Sequence, residues 1–232
     1  MRRPIAFCLL ATVLSAQAAA PEVEITAEPH HHLVFENKSV RVFNVEVDPN
    51  TETHVHWHRH DYISITLGPA EIVNTVKDKP PATVKFTDGD TRFASATFAH
   101  FVRDAGPEPF RNVTVEILDD AILRNSTAPW DQDPAPNVAN GAAKVLFIKD
   151  GVRATQFDLQ PGAVVAMHHH TGPHLLVAVS DLDLRDKYLN DVHPPDLGPL
   201  KSGDSKWLSG NYSHTITNAG AKPAKYVTLE FP

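Results

Sequence analysis

The segment Thr53-His54-Val55-His56-Trp57-His58-Arg59-His60-Asp61-Tyr62 places an imidazole at every second position and follows the last with an acid and a phenol. Side chains on a β-strand alternate between faces, so the four rings would share one side of a sheet. Imidazoles two residues apart there have Cβ atoms roughly 6–7 Å apart, and both can reach one ion at the ~2.0–2.1 Å of a nitrogen ligand. A second H-x-H pair, His168 and His170, lies in the stretch from Pro161 to His174. A third ligand from a distant strand would close each site only once the chain has folded.

The elements that must position these residues are written twice. Residues 89–106 and 203–220 align without a gap at an offset of 114, with Gly89/Gly203, Asp90/Asp204, Ser95/Ser209, His100/His214, Ala105/Ala219 and Gly106/Gly220 identical. An earlier block aligns at 112 and sets Val40-Arg41 on Val152-Arg153, Pro49 on Pro161, His56 on His168 and His58 on His170. Such a repeat predicts two copies of one unit. We read residues 21–126 and 141–232 as the two domains and the Pro- and Asp-rich 127–140 as a linker. Within each copy, runs such as Val40–Val47, Tyr62–Leu67, Leu175–Val179 and Tyr226–Phe231 alternate like strands, and turn residues such as Asp88-Gly89-Asp90 and Ser202-Gly203-Asp204 separate them. No long helical period competes. The fold class is all-β, as two small tandem barrels or sandwiches.

Composition narrows the function classes. The formal charge is −7, which argues against a general nucleic-acid binder. After the N-terminus no run is apolar for the ~20 residues of a membrane helix. Met1-Arg2-Arg3, the apolar Ile5–Leu14 and the small residues Ser15–Ala20 read as a signal peptide spanning 1–20, which predicts a periplasmic or secreted protein. The single cysteine, Cys8, would leave with it. Any metal must then be held by histidine, carboxylate or water.

The motifs resemble those of the cupin superfamily. Its first motif, PG, five residues, H-x-H, three or four residues and usually Glu, fits Pro161-Gly162, His168, His170 and, in the glutamate place, His174. Its second motif, a His followed by Asn, fits His214 and Asn218. The first copy fits with Pro49-Asn50, His56, His58 and His100, with Asp104 for Asn and Tyr62 at the glutamate spacing, His60 and Asp61 just before it. The resemblance implies a bicupin of two jelly-roll barrels (double-stranded β-helices). Metal ligands would be His56, His58 and His100 in one barrel, and His168, His170, His214 and His174 in the other. Dimerisation through sheet edges is common in the family, so a homodimer is an expected form.

Three or four histidines without thiolate suit Fe, Mn, Ni, Cu or Zn as divalent ions. The first expectation is an exported metalloenzyme of dioxygenase type acting on a small oxygen-bearing organic substrate, with Tyr62 and His174 as acid–base candidates. A metal-dependent lyase, isomerase or decarboxylase is the neighbouring reading. A periplasmic ligand-binding or metal-handling protein is the non-catalytic one, and the surplus His30–His32, His54 and His60 speak for it. His169 should point away from its neighbours to the surface, and His193 reads as a loop residue.

Overall fold

The computed structural model describes residues 22–118, 134–149, 151–189 and 193–232. The candidate leader 1–20, with Cys8, and linker residues 127–133 lie outside the described residues. Among the described residues a single 3₁₀ turn, Ile25–Ala27, is the only helical element.

Ten strands from the first half of the chain form two five-stranded sheets. One has the order β1 (Val23–Glu24), β4 (His56–His58), β9 (Phe98–Asp104), β6 (Ala70–Val76), β7 (Ala82–Phe86). The other runs β2 (His31–Glu36), β3 (Val40–Val47), β10 (Phe110–Ile117), β5 (Tyr62–Thr66), β8 (Thr91–Ala94). The second half forms one curved eight-stranded sheet. Its order is β15 (Gly198–Leu200), β14 (Leu182–Tyr188), β17 (Tyr212–Asn218), β12 (Val152–His170), β18 (Ala224–Glu230), β13 (His174–Ala178), β16 (Ser205–Leu208), and β11 (Val138–Lys149) pairs with β12. Residues 138–140, placed in the linker from sequence, thus begin a strand.

The strand order repeats, and β12 takes the places of both β3 and β4. It pairs with β18 from Arg153 to Leu159 and with β17 from Val164 to His170. Between these stretches Gly162 turns the strand with φ +74°. In the first half the matching residue, Asn50, adopts φ +63°. Asn enters the left-handed region more readily than other side chains, so Pro49-Asn50 makes the bend that Pro161-Gly162 makes.

Three apolar clusters hold the molecule together. Phe43, Val45, Val47, Ile72, Val102 and Phe110 pack inside the first half, and Phe157, Leu159, Leu176, Leu184, Ile216 and Tyr226 inside the second. The largest cluster lies between the halves and obeys the repeat. Its 16 buried members form eight equivalent pairs, from Val40/Val152, Ile63/Leu175 and Ile65/Val177 through Val115/Leu229 to Ile117/Phe231. Each Val, Leu, Ile or Phe among them contributes roughly 1.5–3 kcal/mol by leaving water. The rim contacts are reciprocal. Phe35 stacks on Trp207 at 6.1 Å, and their counterparts Phe147 and Phe93 meet at 6.5 Å. Arg111 Nη2 donates to Ser202 O at 3.3 Å, and its counterpart Lys225 reaches Asp88 Oδ2 at 2.8 Å.

Candidate metal centres

The antiparallel register of β4 and β9 sets His56 directly opposite His100, and that of β12 and β17 sets His168 opposite His214. Opposed residues have Cβ atoms only ~4.5–5.5 Å apart, and the second histidine of each H-x-H lies two residues along the same face. Two triads result, His56/His58/His100 and His168/His170/His214, each with its ligand nitrogens within 4.8 Å of one another.

The ring nitrogens are sorted in a way that suits a cation. His56 Nδ1 donates to its neighbour's carbonyl, His54 O, at 2.9 Å, and His168 Nδ1 donates to Ala166 O at the same distance. His100 Nδ1 meets Asn74 Oδ1 at 2.7 Å, and His214 Nδ1 meets Asp186 Oδ1 at 2.9 Å. His170 Nδ1 meets Glu230 Oε1 at 3.0 Å. With the proton fixed on Nδ1, a neutral ring keeps its Nε2 lone pair free, the arrangement that second partners impose on metal-bound histidine. Those lone pairs converge: His58 and His100 Nε2 are 3.1 Å apart, His170 and His214 Nε2 3.2 Å, and His214 and His168 Nε2 3.1 Å. Nitrogens ~2.0–2.1 Å from one ion, at 90–110° around it, would be roughly 2.8–3.4 Å apart. His56 Nε2 is buried without a hydrogen-bond partner. Both triads therefore fit a divalent transition metal.

Burial favours the neutral form at five of these rings. His56 is pushed down to about 4 and His168 to about 3, in each case first by loss of hydration and then by neighbouring histidines. Burial also lowers His58, His100 and His214, the last opposed by Asp186.

The position that follows each H-x-H by four residues stands behind the triad. Tyr62 stacks on His58 at 4.1 Å, and His174 stacks on His170 at 3.9 Å with its Nε2 3.1 Å from Tyr212 Oη. His174 is outside the cluster of converging ligand atoms. Burial raises Tyr62 to about 12 and lowers His174.

The remaining histidines stand apart from the triads. The strand that holds His56 and His58 ends with them, so His54 and His60 are not on it. Asp61 Oδ1 accepts the Ala96 N–H at 2.6 Å. His169 is exposed beside Ser213, and His193 stacks on Tyr188 at 3.9 Å. His30 and His31 both bond to Glu28. Sequence reasoning missed Asn74, Asp186 and Glu230. The repeat offset pairs Asn74 with Asp186, a signal that gains meaning only when β6 and β14 are known to flank β9 and β17.

The two triads face different spaces. His56, His58, His100 and Tyr62 line a cavity of about 230 Å³ whose wall is mostly apolar, with Val45, Val47, Ile72, Phe86, Val102 and Phe110, and which also exposes Ser64, Asn112 and Thr114. At the positions of Val45, Ser64 and Asn112 the second half carries Phe157, Leu176 and Tyr226. These are buried, and Phe157 stacks on Tyr226 at 4.6 Å. Two of its triad, His168 and His170, line instead a groove of about 330 Å³ beside Arg153, Glu230 and Pro134–Asn137.

No family model and no curated protein matches the chain. Solved structures do. The Bacillus subtilis oxalate decarboxylase at pH 4.6 superposes with TM-score 0.60 at 12% identity, covering 83% of this chain and 68% of that one. A cupin 2 conserved barrel domain protein from Leptotrichia buccalis gives 0.50 at 12%, covering 87% and 88%. The 11S globulin of Wrightia tinctoria, whose structure reveals an auxin binding site, gives 0.60 at 10%, covering 83% and 75%. Likeness at such identity speaks for architecture and not activity. With its nearly helix-free strand arrangement and two histidine triads, the chain has the cupin fold.

Proposed function

We propose that the protein is an exported bicupin, two tandem barrels in one chain, acting as a metal-dependent enzyme of dioxygenase type on a small oxygen-bearing organic molecule. The observation that carries this reading is the first triad: three imidazole nitrogens converge at the edge of a walled, largely apolar cavity. Binding sites for small molecules are concave, mostly apolar and furnished with a few placed polar groups. At about 230 Å³ the cavity suits a molecule below drug size.

His56, His58 and His100 would hold the ion, and Asn74 and the His54 carbonyl fix two of their rings. A divalent metal there supplies Lewis acidity and open positions for oxygen ligands. Tyr62, a neutral phenol at ordinary pH, offers a proton at the cavity wall. The apolar residues exclude water around the substrate. In the second barrel, where Phe157, Leu176 and Tyr226 occupy the interior, His168, His170 and His214 would hold an ion with a structural or auxiliary task. His174 there belongs to the stack that supports His170.

A decarboxylase is the second reading, supported by the fold shared with oxalate decarboxylases. A metal scavenger is less well supported, because His30 and His31 are tied to Glu28 instead of lying free.

The test is elemental analysis of residues 21–232, purified without a histidine tag, alongside His56→Ala and His168→Ala. One transition metal should be lost in each variant. Oxygen uptake and carbon dioxide release with a panel of small hydroxy acids and diphenols then separate the reactions. Oxygen uptake lost in His56→Ala supports the dioxygenase, and carbon dioxide release without uptake selects the decarboxylase. A chain that takes up no metal overturns both.

A further inference from the structure

Glu28 lies just after the 3₁₀ turn, its residue only 2% exposed, and its carboxylate takes four hydrogen bonds. Oε1 accepts from His30 Nδ1 at 3.0 Å and from the His54 N–H at 3.2 Å. Oε2 accepts from His31 Nδ1 at 2.8 Å and from the His30 N–H at 2.7 Å. A buried carboxylate with that many donors is a fixed anchor. Through it the N-terminal segment is tied to the residue whose carbonyl holds His56.

His31 is placed by this anchor. Its side chain is 6% exposed, it lines the first cavity, and its ring centroid is 4.7 Å from that of His56. It is not among the triad's converging ligand atoms, so it stands beside the ion's position instead of on it. Nδ1–H is committed to Glu28, and among the described residues Nε2 has no hydrogen-bond partner. That leaves the ring's second nitrogen to hydrogen-bond a ligand. The repeat carries Ala143 at the matching position, so the second triad has no such group.

We propose that His31 is a substrate-binding residue of the first site. Its Nε2 hydrogen-bonds a hydroxyl of the ligand, whose neighbouring oxygen would be held at the metal site. The substrate class is thereby a vicinal oxygen pair on a small apolar body, such as an aryl 2-hydroxy acid or an ortho-diphenol. This rests on the metal reading of the first triad.

The test uses protein carrying His168→Ala, loaded with Co(II) so that visible absorption reports the first site. Mandelate and its hydroxyl-free analogue phenylacetate are the probes. The parent should bind mandelate about tenfold tighter than phenylacetate, the size of one hydrogen bond to a fixed imidazole. His31→Ala should keep its cobalt and lose that preference. Glu28→Gln, which frees the ring without removing it, should lower it. The proposal is overturned if His31→Ala loses cobalt, since His31 would then be a ligand or a support. It is also overturned if a cobalt-loaded parent shows no preference, or if the variants keep it. A parent that binds no cobalt overturns the metal reading itself, and this proposal with it.

Discussion

His170 Nδ1 lies 3.0 Å from Glu230 Oε1, whereas the equivalent pair in the first half, His58 and Glu116, makes no such bond. His58 Nδ1 and Glu116 Oε1 are both buried without partners. Burial raises the Glu116 carboxyl, and Arg41 opposes that from 3.1 Å. One ligand of the second triad is oriented by a carboxylate while its counterpart is held by stacking on Tyr62. Loss of an outer hydrogen-bond partner typically costs 10–100-fold in metal affinity. Glu230→Ala should therefore weaken the second site by about that factor, and Glu116→Ala should change the first by less than about threefold. Competition titration with a chromophoric chelator, on chains with the other triad disabled, reads both.

The difference between the cavity and the filled interior is also transferable. Ser64→Leu combined with Asn112→Tyr copies the second half into the first. The double variant should retain first-site metal and lose small-molecule binding at least about tenfold, with added apolar burial offsetting the loss of the Asn112–Thr114 hydrogen bond. Calorimetric titration with mandelate checks the binding. Unchanged affinity would place the ligand elsewhere.

The pH dependence of the metal-free protein has a definite sign. Burial pushes His56 down to about 4 in the folded chain, from an ordinary 6.5. Between those values the unfolded chain binds a proton that the folded one refuses, so stability rises with pH through this window and falls as pH drops through it. His56 alone accounts for on the order of 3 kcal/mol, and His168, held near 3, extends the loss lower. Urea midpoints from pH 7.5 to 4.5 should fall in the metal-free wild type and fall less in His56→Gln. Parallel curves would show that His56 is not the cause.

The shared core predicts joint unfolding. Leu229 is fully buried among residues of both halves. Leu229→Ala should cost about 2–5 kcal/mol and lower a single calorimetric transition. Two separated transitions would mean that the halves are independently stable.

Much of the frame was legible. Val40–Val47 is a strand with those bounds, and the offsets of 112 and 114 pair both triads correctly. The alternation of His54 to His60 overstated its strand, because periodicity cannot see that β4 ends at His58, where pairing with β9 stops. His31 was hidden for a different reason. It comes from a strand 25 residues before His56 and sits in a polyhistidine tract that the sequence alone offers as metal-handling surplus; only Glu28, three residues earlier, marks it. The contrast of Val45, Ser64 and Asn112 with Phe157, Leu176 and Tyr226 is present in the aligned repeats. It becomes a cavity only when those positions are known to face inward.

The reciprocal pairs Phe35–Trp207 and Phe93–Phe147 carry one more consequence. When residue i touches j, and the counterpart of j touches that of i, the contact has the self-complementary form of a two-fold homodimer. Here the two faces belong to one polypeptide and are separately encoded. In a homodimer every substitution would strike both subunits at once. A single polypeptide is free of that constraint, so one half can keep a hollow beneath its histidines while the other is filled, across contacts that are symmetric in form.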